Sequence, residues 1–213
     1  MIIGISGKIG SGKDTVGEMI QFLSADKKPY NLGTFIKSLT DKDFHHINSL
    51  STDWENKKFA DKLKDIICML ISCTREKLED REFKEAELGE EWDLYNIKTK
   101  NGEYFAINYS LNQAQKYIDN SYKYDVVKMT PRKMLQILGT EAGRGLIHPQ
   151  IWVNSLMADY KGIDLYRDSN PSNPWKFPNW LVTDTRFPNE ADAIKERGGI
   201  LIRVNRGDPI FKN

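Results

Sequence analysis

The sequence has no long hydrophobic run, only two cysteines and almost no net charge, and each absence excludes a class of protein. No apolar stretch approaches the ~20 residues needed to span a bilayer, so we expect no membrane segment. Cys68 and Cys73 give neither a metal-binding signature nor a disulfide framework. The formal net charge of +1 argues against broad electrostatic binding to nucleic acid.

The remaining composition is that of an ordinary globular protein. The 213 residues are 39% hydrophobic and 29% charged, which suits one domain with insertions and a proper core. An apolar strand pattern begins at Ile2, which leaves no room for a signal peptide. We therefore expect a cytoplasmic protein.

The most informative segment is residues 2–16, which read IIGISGKIGSGKDTV. A short apolar run ends in a glycine-rich loop that leads to Lys13, and the apolar residues that follow have the spacing of one helix face. They are Val16, Met19, Ile20 and Leu23. A strand, a glycine loop with lysine and a helix form the arrangement that cradles phosphates. The glycines let backbone N–H groups turn toward an anion, and the helix dipole adds positive charge. Lys13 would then face the outer phosphates of a nucleotide.

The residue after the lysine departs from the strict form of this motif. Asp14 stands where Ser or Thr is usual, and the hydroxyl of that residue normally holds Mg²⁺. A carboxylate is also a good ligand for a hard cation, directly or through water. We therefore expect a nucleotide with bound magnesium and name Asp14 as the metal-ligand candidate. The alternative is a glycine-rich turn with an incidental lysine.

The segment after the first helix is harder to interpret. Residues 24–58 are polar and lack periodicity, so we expect them to be irregular, with His45 and His46 as solvated loop residues. An apolar stripe with helical spacing runs over residues 59–73. Residues 74–92 are strongly charged, and we expect them to be helical in part.

Two pairs of residues mark local structure in the middle of the chain. Asn101-Gly102 is the preferred pair for a tight hairpin turn, which predicts a small β insertion. Thr130-Pro131 predicts a helix start, with a capping hydroxyl followed by proline at the first helical position. Gly139 is placed to end that helix.

The C-terminal third alternates helix and strand patterns. In chain order these are a helix after Pro149, a proline-rich surface loop over 167–179, a strand over 180–182, a helix over 189–197 capped by Asn189, and a strand over 200–204. A strand–helix–strand unit of this length implies a right-handed crossover in a parallel sheet. We predict an α/β fold with helices on both faces of the sheet and a helical or β insertion.

A second group of polar residues follows the strand over 180–182. Ligands of open parallel sheets bind at the carboxyl ends of strands, so Asp184 and Arg186 would share one edge with the glycine loop. Asp184 could orient Mg²⁺ or a substrate hydroxyl or amine, and Arg186 could fork onto a phosphate. Alternatively, Asp184, Arg186 and Glu190 are charges of a helix-entry loop that pair with each other.

Four segments together resemble the phage deoxynucleoside monophosphate kinases, which are P-loop kinases. They are GKIGSGKDT at 7–15, FADKLKD at 59–65, TPRKMLQILGTEAGR at 130–144 and VTDTRFPNEADAI at 182–194. The glycine loop alone is common to many nucleotide enzymes, whereas the four segments in this order are much more specific. The resemblance implies a P-loop NTPase-type parallel sheet flanked by helices. It also implies one kinase domain over 1–213, with a helical and β-hairpin insertion for acceptor binding and a lid at about 75–145.

The resemblance also implies roles for individual residues. The ATP phosphates would lie against Gly10, Ser11, Gly12, Lys13, Asp14 and Thr15. The acceptor candidates are Lys64, Arg81, Arg132, Gln136, Gly139, Trp152, Asp184, Arg186 and Glu190, with Arg144 as a further phosphate candidate. Lys13, Arg132 and Arg186 are the catalytic candidates.

Several of these residues have a plainer interpretation. Lys64 and Arg81 could be ordinary solvated charges, and Gln136 and Trp152 could serve packing. Trp152 would bury well whether or not a sugar contacts it.

The implied reaction transfers the γ-phosphoryl of ATP to a deoxynucleoside monophosphate and gives the diphosphate, with Mg²⁺ bound. The expected partners are these nucleotides, with no nucleic acid and no membrane, in the host cytoplasm if the protein is phage-encoded. Related kinases are often dimers, so a homodimer is compatible with the resemblance.

Two other functions remain open at this point. One is a P-loop kinase for another small phosphorylated acceptor, such as a coenzyme precursor. The other is a non-catalytic nucleotide-binding protein. Family members usually continue past the strand that ends near Val204, whereas this chain stops at Asn213. We expect such a tail to hold the adenine or complete the sheet, so its absence favours the non-catalytic alternative.

Overall fold

The structure is a computed structural model, and it describes residues 1–26, 31–40, 52–164 and 175–205. The chain forms two compact units: Met1–Lys62 with Gln150–Asn213 form the first, and Leu63–Pro149 forms the second. The predicted insertion at about 75–145 falls within the second unit, and the single-domain organisation stays a prediction. His45, His46 and residues 167–174 of the predicted loop lie outside the described residues.

The first unit contains the four-stranded sheet and the helices that pack on it. Its elements in chain order are β1 (Ile2–Gly7), α1 (Lys13–Ser24), α2 (Leu32–Thr40) and β2 (Trp54–Lys57), then the first two residues of α3 (Asp61–Leu70), which continues into the second unit.

The second unit contains a mixture of helices and strands. After α3 come α4 (Arg75–Glu79), α5 (Arg81–Glu85), a 3₁₀ turn (Glu90–Trp92), β3 (Leu94–Lys98), β4 (Tyr104–Tyr109), α6 (Leu111–Asp119), β5 (Tyr124–Val127), α7 (Pro131–Gln136) and a π-helix (Ile137–Ile147). The chain then returns to the first unit with α8 (Ile151–Met157), β6 (Ile163–Asp164), β7 (Trp175–Lys176), β8 (Asn179–Thr185), α9 (Pro188–Lys195) and β9 (Ile200–Val204).

A four-stranded parallel sheet organises the first unit, in the order β2-β8-β1-β9. This confirms the predicted α/β fold with a parallel sheet. Because β1 lies between β8 and β9, the connection through α9 crosses over β1, as parallel strands require. The strand that precedes the glycine loop therefore runs beside the strand that precedes Asp184. Their carboxyl ends meet at one edge, where Ser6 pairs with Thr185.

The two faces of this sheet are covered by different helices, because side chains alternate along each strand. On one face Ile2, Trp180 and Val182 pack with residues of α8 and α9. On the other face Ile3, Ile5 and Leu181 pack with Val16 and Ile20 of α1, among others. The hydrophobic strand residues fix α1 against the sheet, and with it the loop at the N-terminus of α1.

The second unit has its own antiparallel sheet, in the order β4-β3-β5. The predicted hairpin is confirmed, because β3 and β4 pair on either side of Asn101-Gly102 and Gly102 has a φ of +88°. Tyr95 and Ile97 of β3 pack on α6 around Ala114. Among the described residues, no helix combines the length and hydrophobicity required to cross a membrane.

Three local predictions are wrong. The segment 24–58 is not irregular throughout, since it contains α2 and β2. Leu23, placed on the buried face of α1 by its spacing, is 62% exposed, and Phe22 is buried in its place. Asn189 does not cap α9: the helix starts at Pro188, and the backbone N–H of Phe187 is bound by Glu190.

The predicted helix end at Gly139 is also wrong. Thr130 caps α7 as expected, with its hydroxyl oxygen accepting a hydrogen bond of 3.2 Å from the Lys133 N–H. The helical path then continues through Gly139 as a π-helix to Ile147. Gly139 is buried, and a Cβ there would lie 2.8 Å from the Leu63 Cδ2 atom. Glycine therefore allows close packing against α3 at this position, and it does not stop the helix.

Candidate active site

The glycine loop leaves open space directly in front of α1. Gly12 caps the helix in the left-handed conformation with a φ of +91°, and Gly10 has a φ of +74°. Beyond its chain neighbours, a Cβ added at either position would meet no atom of the described residues within 4 Å. The loop therefore has glycine at these positions for its backbone conformation, and the space beside it can receive a ligand at the positive end of a 12-residue helix.

Lys13 folds back over this loop. Its Nζ donates hydrogen bonds to the carbonyl oxygens of Gly7 at 3.0 Å and Lys8 at 2.9 Å. Within the described part of the chain no carboxylate forms an ion pair with Lys13. Its positive charge is thus held at the loop by neutral acceptors, and the Asp14 carboxylate interacts with it only through space, without an ion pair.

Ser11 gives a second indication of an anion site. Its Oγ is buried and has no hydrogen-bond partner among the described residues. A buried hydroxyl without a partner costs about 1–3 kcal/mol. Since the hydroxyl lies in the same loop as Lys13, a bound phosphate oxygen would satisfy it. The residues present therefore fit the phosphates of a nucleotide.

Asp14 is held in place by two side chains. Its Oδ1 accepts a hydrogen bond of 2.6 Å from the Thr183 hydroxyl and lies 2.9 Å from the Lys58 Nζ. Burial raises the pKa of Asp14, but the hydrogen bonds from Thr183 and Lys58 and the charges of Lys58 and Lys13 outweigh it, so the pKa falls below its ordinary value. The carboxylate is therefore ionised at neutral pH.

An ionised carboxylate at this position fits a magnesium ion. Mg²⁺ in nucleotide sites is typically bound by one or two carboxylates together with substrate phosphates. Among the described residues no group of three or more His, Cys, Asp or Glu side chains could hold a metal ion by itself. Asp14 with the nucleotide phosphates is thus the arrangement that these residues could supply.

Thr183 and Lys58 are site residues that the sequence analysis missed. Thr183 is buried on β8, where α1 approaches closely: a Cβ added at Gly17 would lie 2.9 Å from the Thr183 Cγ2 atom. A polar residue inside an apolar strand, next to Asp184, was the available signal. Lys58 directly precedes the FADKLKD segment, and nothing in the sequence connected it to Asp14.

The Asp184 carboxylate accepts hydrogen bonds from the main chain and forms no ion pair among the described residues. Its Oδ1 accepts the N–H of Phe59 at 2.9 Å, and its Oδ2 accepts the N–H of Ala60 at 3.0 Å. Burial raises the pKa of Asp184, while the two backbone N–H groups act in the opposite direction. Asp184 therefore fastens the segment after β2 to the end of β8, and this segment carries Lys58 to Asp14.

The two residues predicted beside Asp184 have different surroundings. Glu190 is buried, and its Oε2 accepts the backbone N–H groups of Arg186 at 2.7 Å and Phe187 at 3.0 Å. It thus caps α9. The Arg186 side chain is exposed and forms no ion pair within the described residues, so its guanidinium is available to a ligand at the sheet edge. Trp152 is buried in α8.

In the second unit, Lys64 belongs to an ion-pair cluster. Glu79 pairs with both Lys64 and Lys84, the latter at 3.0 Å. Burial raises the pKa of Glu79, but the hydrogen bonds and charges of Lys64 and Lys84 lower it to about 2. Lys64 therefore already has a carboxylate partner in the protein, which it shares with Lys84.

The pKa of Glu79 predicts how this cluster contributes to stability. The folded-state pKa lies below the ordinary value of 4.5, so the contribution is present above pH 4.5 and is lost as the pH falls toward 2. Comparing unfolding free energies of the wild type and Glu79→Gln from about pH 6 downward, we expect the difference to shrink across this interval. A difference that does not vary with pH would contradict the role of the ionised carboxylate.

The other candidates of the second unit lie on α5, α7 and the π-helix. Arg81 is exposed and forms no ion pair among the described residues, whereas Arg132 pairs with Glu85. Gln136 is exposed at the end of α7, and Arg144 lies half-buried in the π-helix. Since Gly139 is buried against Leu63, its role in the structure is packing.

Comparisons with known proteins indicate one kind of enzyme. A family model described as deoxynucleotide monophosphate kinase matches residues 1–212. The chain is 27% identical, over 215 aligned positions, to the deoxynucleoside-5'-monophosphate kinase of Escherichia phage T5, an alignment that covers 92% of this chain and 72% of the phage protein. It is also 41% identical over 80 residues to an Acanthamoeba polyphaga mimivirus protein provisionally named a deoxynucleotide monophosphate kinase, covering 36% of this chain and 39% of that protein.

Proposed function

We infer, because this chain belongs to the deoxynucleotide monophosphate kinase family, that ATP is its phosphoryl donor and that the reaction requires Mg²⁺. The observation that supports this best is the open glycine loop at the carboxyl edge of the parallel sheet, where Lys13 has no carboxylate partner in the described part of the chain. The buried Ser11 hydroxyl, which has no hydrogen-bond partner among the described residues, adds a second phosphate-binding group in the same loop.

The proposed reaction does not depend on a general base. The acceptor is a phosphate oxygen, which is already a competent nucleophile at neutral pH, so catalysis depends on in-line positioning and on positive charge around the transferred group. When bound, Mg²⁺ would neutralise phosphate charge. Lys13 would bind the donor phosphates, and Asp14, oriented by Thr183 and Lys58, would hold the metal.

We propose different roles for the residues predicted to bind the acceptor. Arg186 and Arg81 are exposed and form no ion pair among the described residues, so we assign them to the acceptor phosphate. Arg132 would have to break its ion pair with Glu85 before it could bind a phosphate. Such a change of partner is compatible with its place in the predicted lid. Asp184 and Glu190 act by holding backbone at the sheet edge, since their carboxylates bind main-chain N–H groups.

A coupled ADP-release assay with each of the four common deoxynucleoside monophosphates tests this function. We expect ADP to be released with at least one acceptor, and release to stop when Mg²⁺ is removed with EDTA. The same assay without acceptor is the control, because a kinase that excludes water should hydrolyse ATP only slowly. ATP binding without acceptor-dependent ADP release, or turnover only with a coenzyme precursor, would contradict the proposal.

A further inference from the structure

We propose that a cavity in the second unit binds a nucleoside triphosphate through residues other than those assigned to the kinase reaction. The cavity has a volume of about 720 Å³, is open to solvent on one side and is lined by the end of β3, the hairpin turn, α6 and the segment that follows α6. This volume lies within the range of roughly 300–1,000 Å³ that is typical of small-molecule sites. None of the residues proposed for ATP or for the acceptor lines the cavity.

The charge of this cavity is strongly positive. Four lysines line it, and no lining residue is acidic. Lys98 is compensated by Asp125, whose Oδ2 lies 2.7 Å from the Lys98 Nζ. Lys100, Lys116 and Lys123 form no ion pair within the described residues. Three uncompensated ammonium groups around one cavity favour a ligand with several negative charges, such as a triphosphate chain.

The backbone around the cavity is fixed by hydrogen bonds. The Lys98 N–H donates to the Lys123 carbonyl oxygen at 2.8 Å, and the Asn120 side chain donates to the Lys116 carbonyl oxygen at 2.6 Å. Between them Ser121 adopts a φ of +59° where α6 ends, and the Tyr122 N–H donates to the Tyr117 carbonyl oxygen at 3.0 Å, as is common at helix C-termini. The lysines therefore project from a backbone that is ordered before a ligand arrives, which reduces the cost of binding.

Aromatic side chains give the cavity a second kind of binding surface. Tyr117 and Tyr122 line it, with their ring centroids 5.8 Å apart and edge-to-face. Phe105 packs on both rings, at 5.4 and 5.6 Å, and Tyr122 remains 40% exposed. A tyrosine ring held in this way can stack on a nucleobase, because every base presents a π-face. Lysines next to tyrosines thus favour a base with a phosphate chain over an inorganic anion.

A single nucleotide suits this cavity better than a nucleic acid strand. A strand is usually held by a continuous basic groove that follows its backbone. Here the uncompensated lysines surround one cavity, and the whole chain has a formal net charge of only +1. The proposal concerns a second nucleotide site and does not depend on the kinase reaction.

Equilibrium dialysis with radiolabelled ATP, in the absence of acceptor, tests the proposal. We expect two ATP sites on the wild type and one on the triple variant Lys100→Ala, Lys116→Ala and Lys123→Ala, in which loss of charged hydrogen bonds weakens the second site by on the order of 100-fold. The matched control removes three exposed lysines of the first unit, Lys161, Lys176 and Lys195, and should keep two sites. If ATP were not the donor, the glycine loop would not bind it and only the proposed second site would remain. The wild type would then show one site and the triple variant none.

A second variant tests binding of the base separately from binding of the phosphates, and it leaves the charge of the protein unchanged. Tyr122→Leu should weaken ATP at this site by about tenfold through loss of stacking, while binding of inorganic tripolyphosphate stays the same. Thermal melting checks that each variant folds. An unchanged number of sites in the triple variant overturns the proposal. So does tripolyphosphate binding as tightly as ATP, or a 12-nucleotide thymidylate strand displacing ATP from this site at lower concentration than unlabelled ATP does.

Discussion

Replacing Lys13 with alanine should reduce acceptor-dependent turnover by on the order of 10³-fold or more, judged from the loss of a cation on the transferring phosphoryl group. The structure explains why the effect should be confined to catalysis. Among the described residues, the Lys13 Nζ bonds only to the carbonyl oxygens of Gly7 and Lys8, both in the loop that would receive the phosphates. Removing it therefore deletes a charge from the site and leaves the hydrophobic packing of α1 unchanged.

The measurement is the coupled ADP-release assay on Lys13→Ala, with thermal melting as the test of folding. Lys195→Ala is the matched control, because Lys195 is an exposed lysine in the last turn of α9. We expect the control to keep wild-type turnover and both variants to melt close to the wild type. Full turnover in Lys13→Ala would show that the glycine loop does not bind the donor.

The elements that the sequence predicted correctly are those whose signals are local. The run of isoleucines before the glycine loop is β1, and the apolar run before Asp184 is β8, because a strand buried on both faces is nearly continuous in hydrophobic residues. The hairpin at Asn101-Gly102 and the helix start at Thr130 depend on turn and cap chemistry over a few residues. Such signals do not require knowledge of the tertiary fold.

The elements between residues 24 and 58 were missed because their stability is tertiary. β2 is a short polar strand, Trp54–Lys57, that exists as a strand because β8 supplies its hydrogen-bond partners. In α2, Phe35 stacks on Phe22 of α1 with their ring centroids 4.1 Å apart. Neither contact leaves a periodic pattern in the sequence.

The sequence predicted where the candidate site lies but not the hydrogen bonds that hold it together. The motifs located Asp14 and Asp184 at the same edge of the sheet, and the pairing of Ser6 with Thr185 shows why they come together. The bonds to the Asp184 carboxylate come from the main chain of Phe59 and Ala60, and backbone N–H groups carry no residue-type signal. For the same reason, the capping role of Glu190 could not be separated from ligand binding in the sequence alone.

Asp184→Ala should destabilise the protein and reduce its activity together. The substitution leaves the N–H groups of Phe59 and Ala60 without their acceptors in a partly buried position, at a cost of about 1–3 kcal/mol each, or about 2–6 kcal/mol in total. It also releases the segment that places Lys58 against Asp14, so the metal-ligand candidate loses one of its two partners. The free energy of unfolding in urea and the turnover of the folded fraction measure the two effects separately.

Asp184→Asn distinguishes this backbone role from direct ligand binding. The amide oxygen can still accept one N–H, while the amide NH₂ group faces the other donor, so we expect an intermediate loss of stability. Asp192→Ala, which removes an exposed carboxylate from α9, is the control and should change stability by less than about 0.5 kcal/mol. If Asp184→Ala were as stable as the wild type but inactive, the carboxylate would act on the ligand and not on the segment after β2.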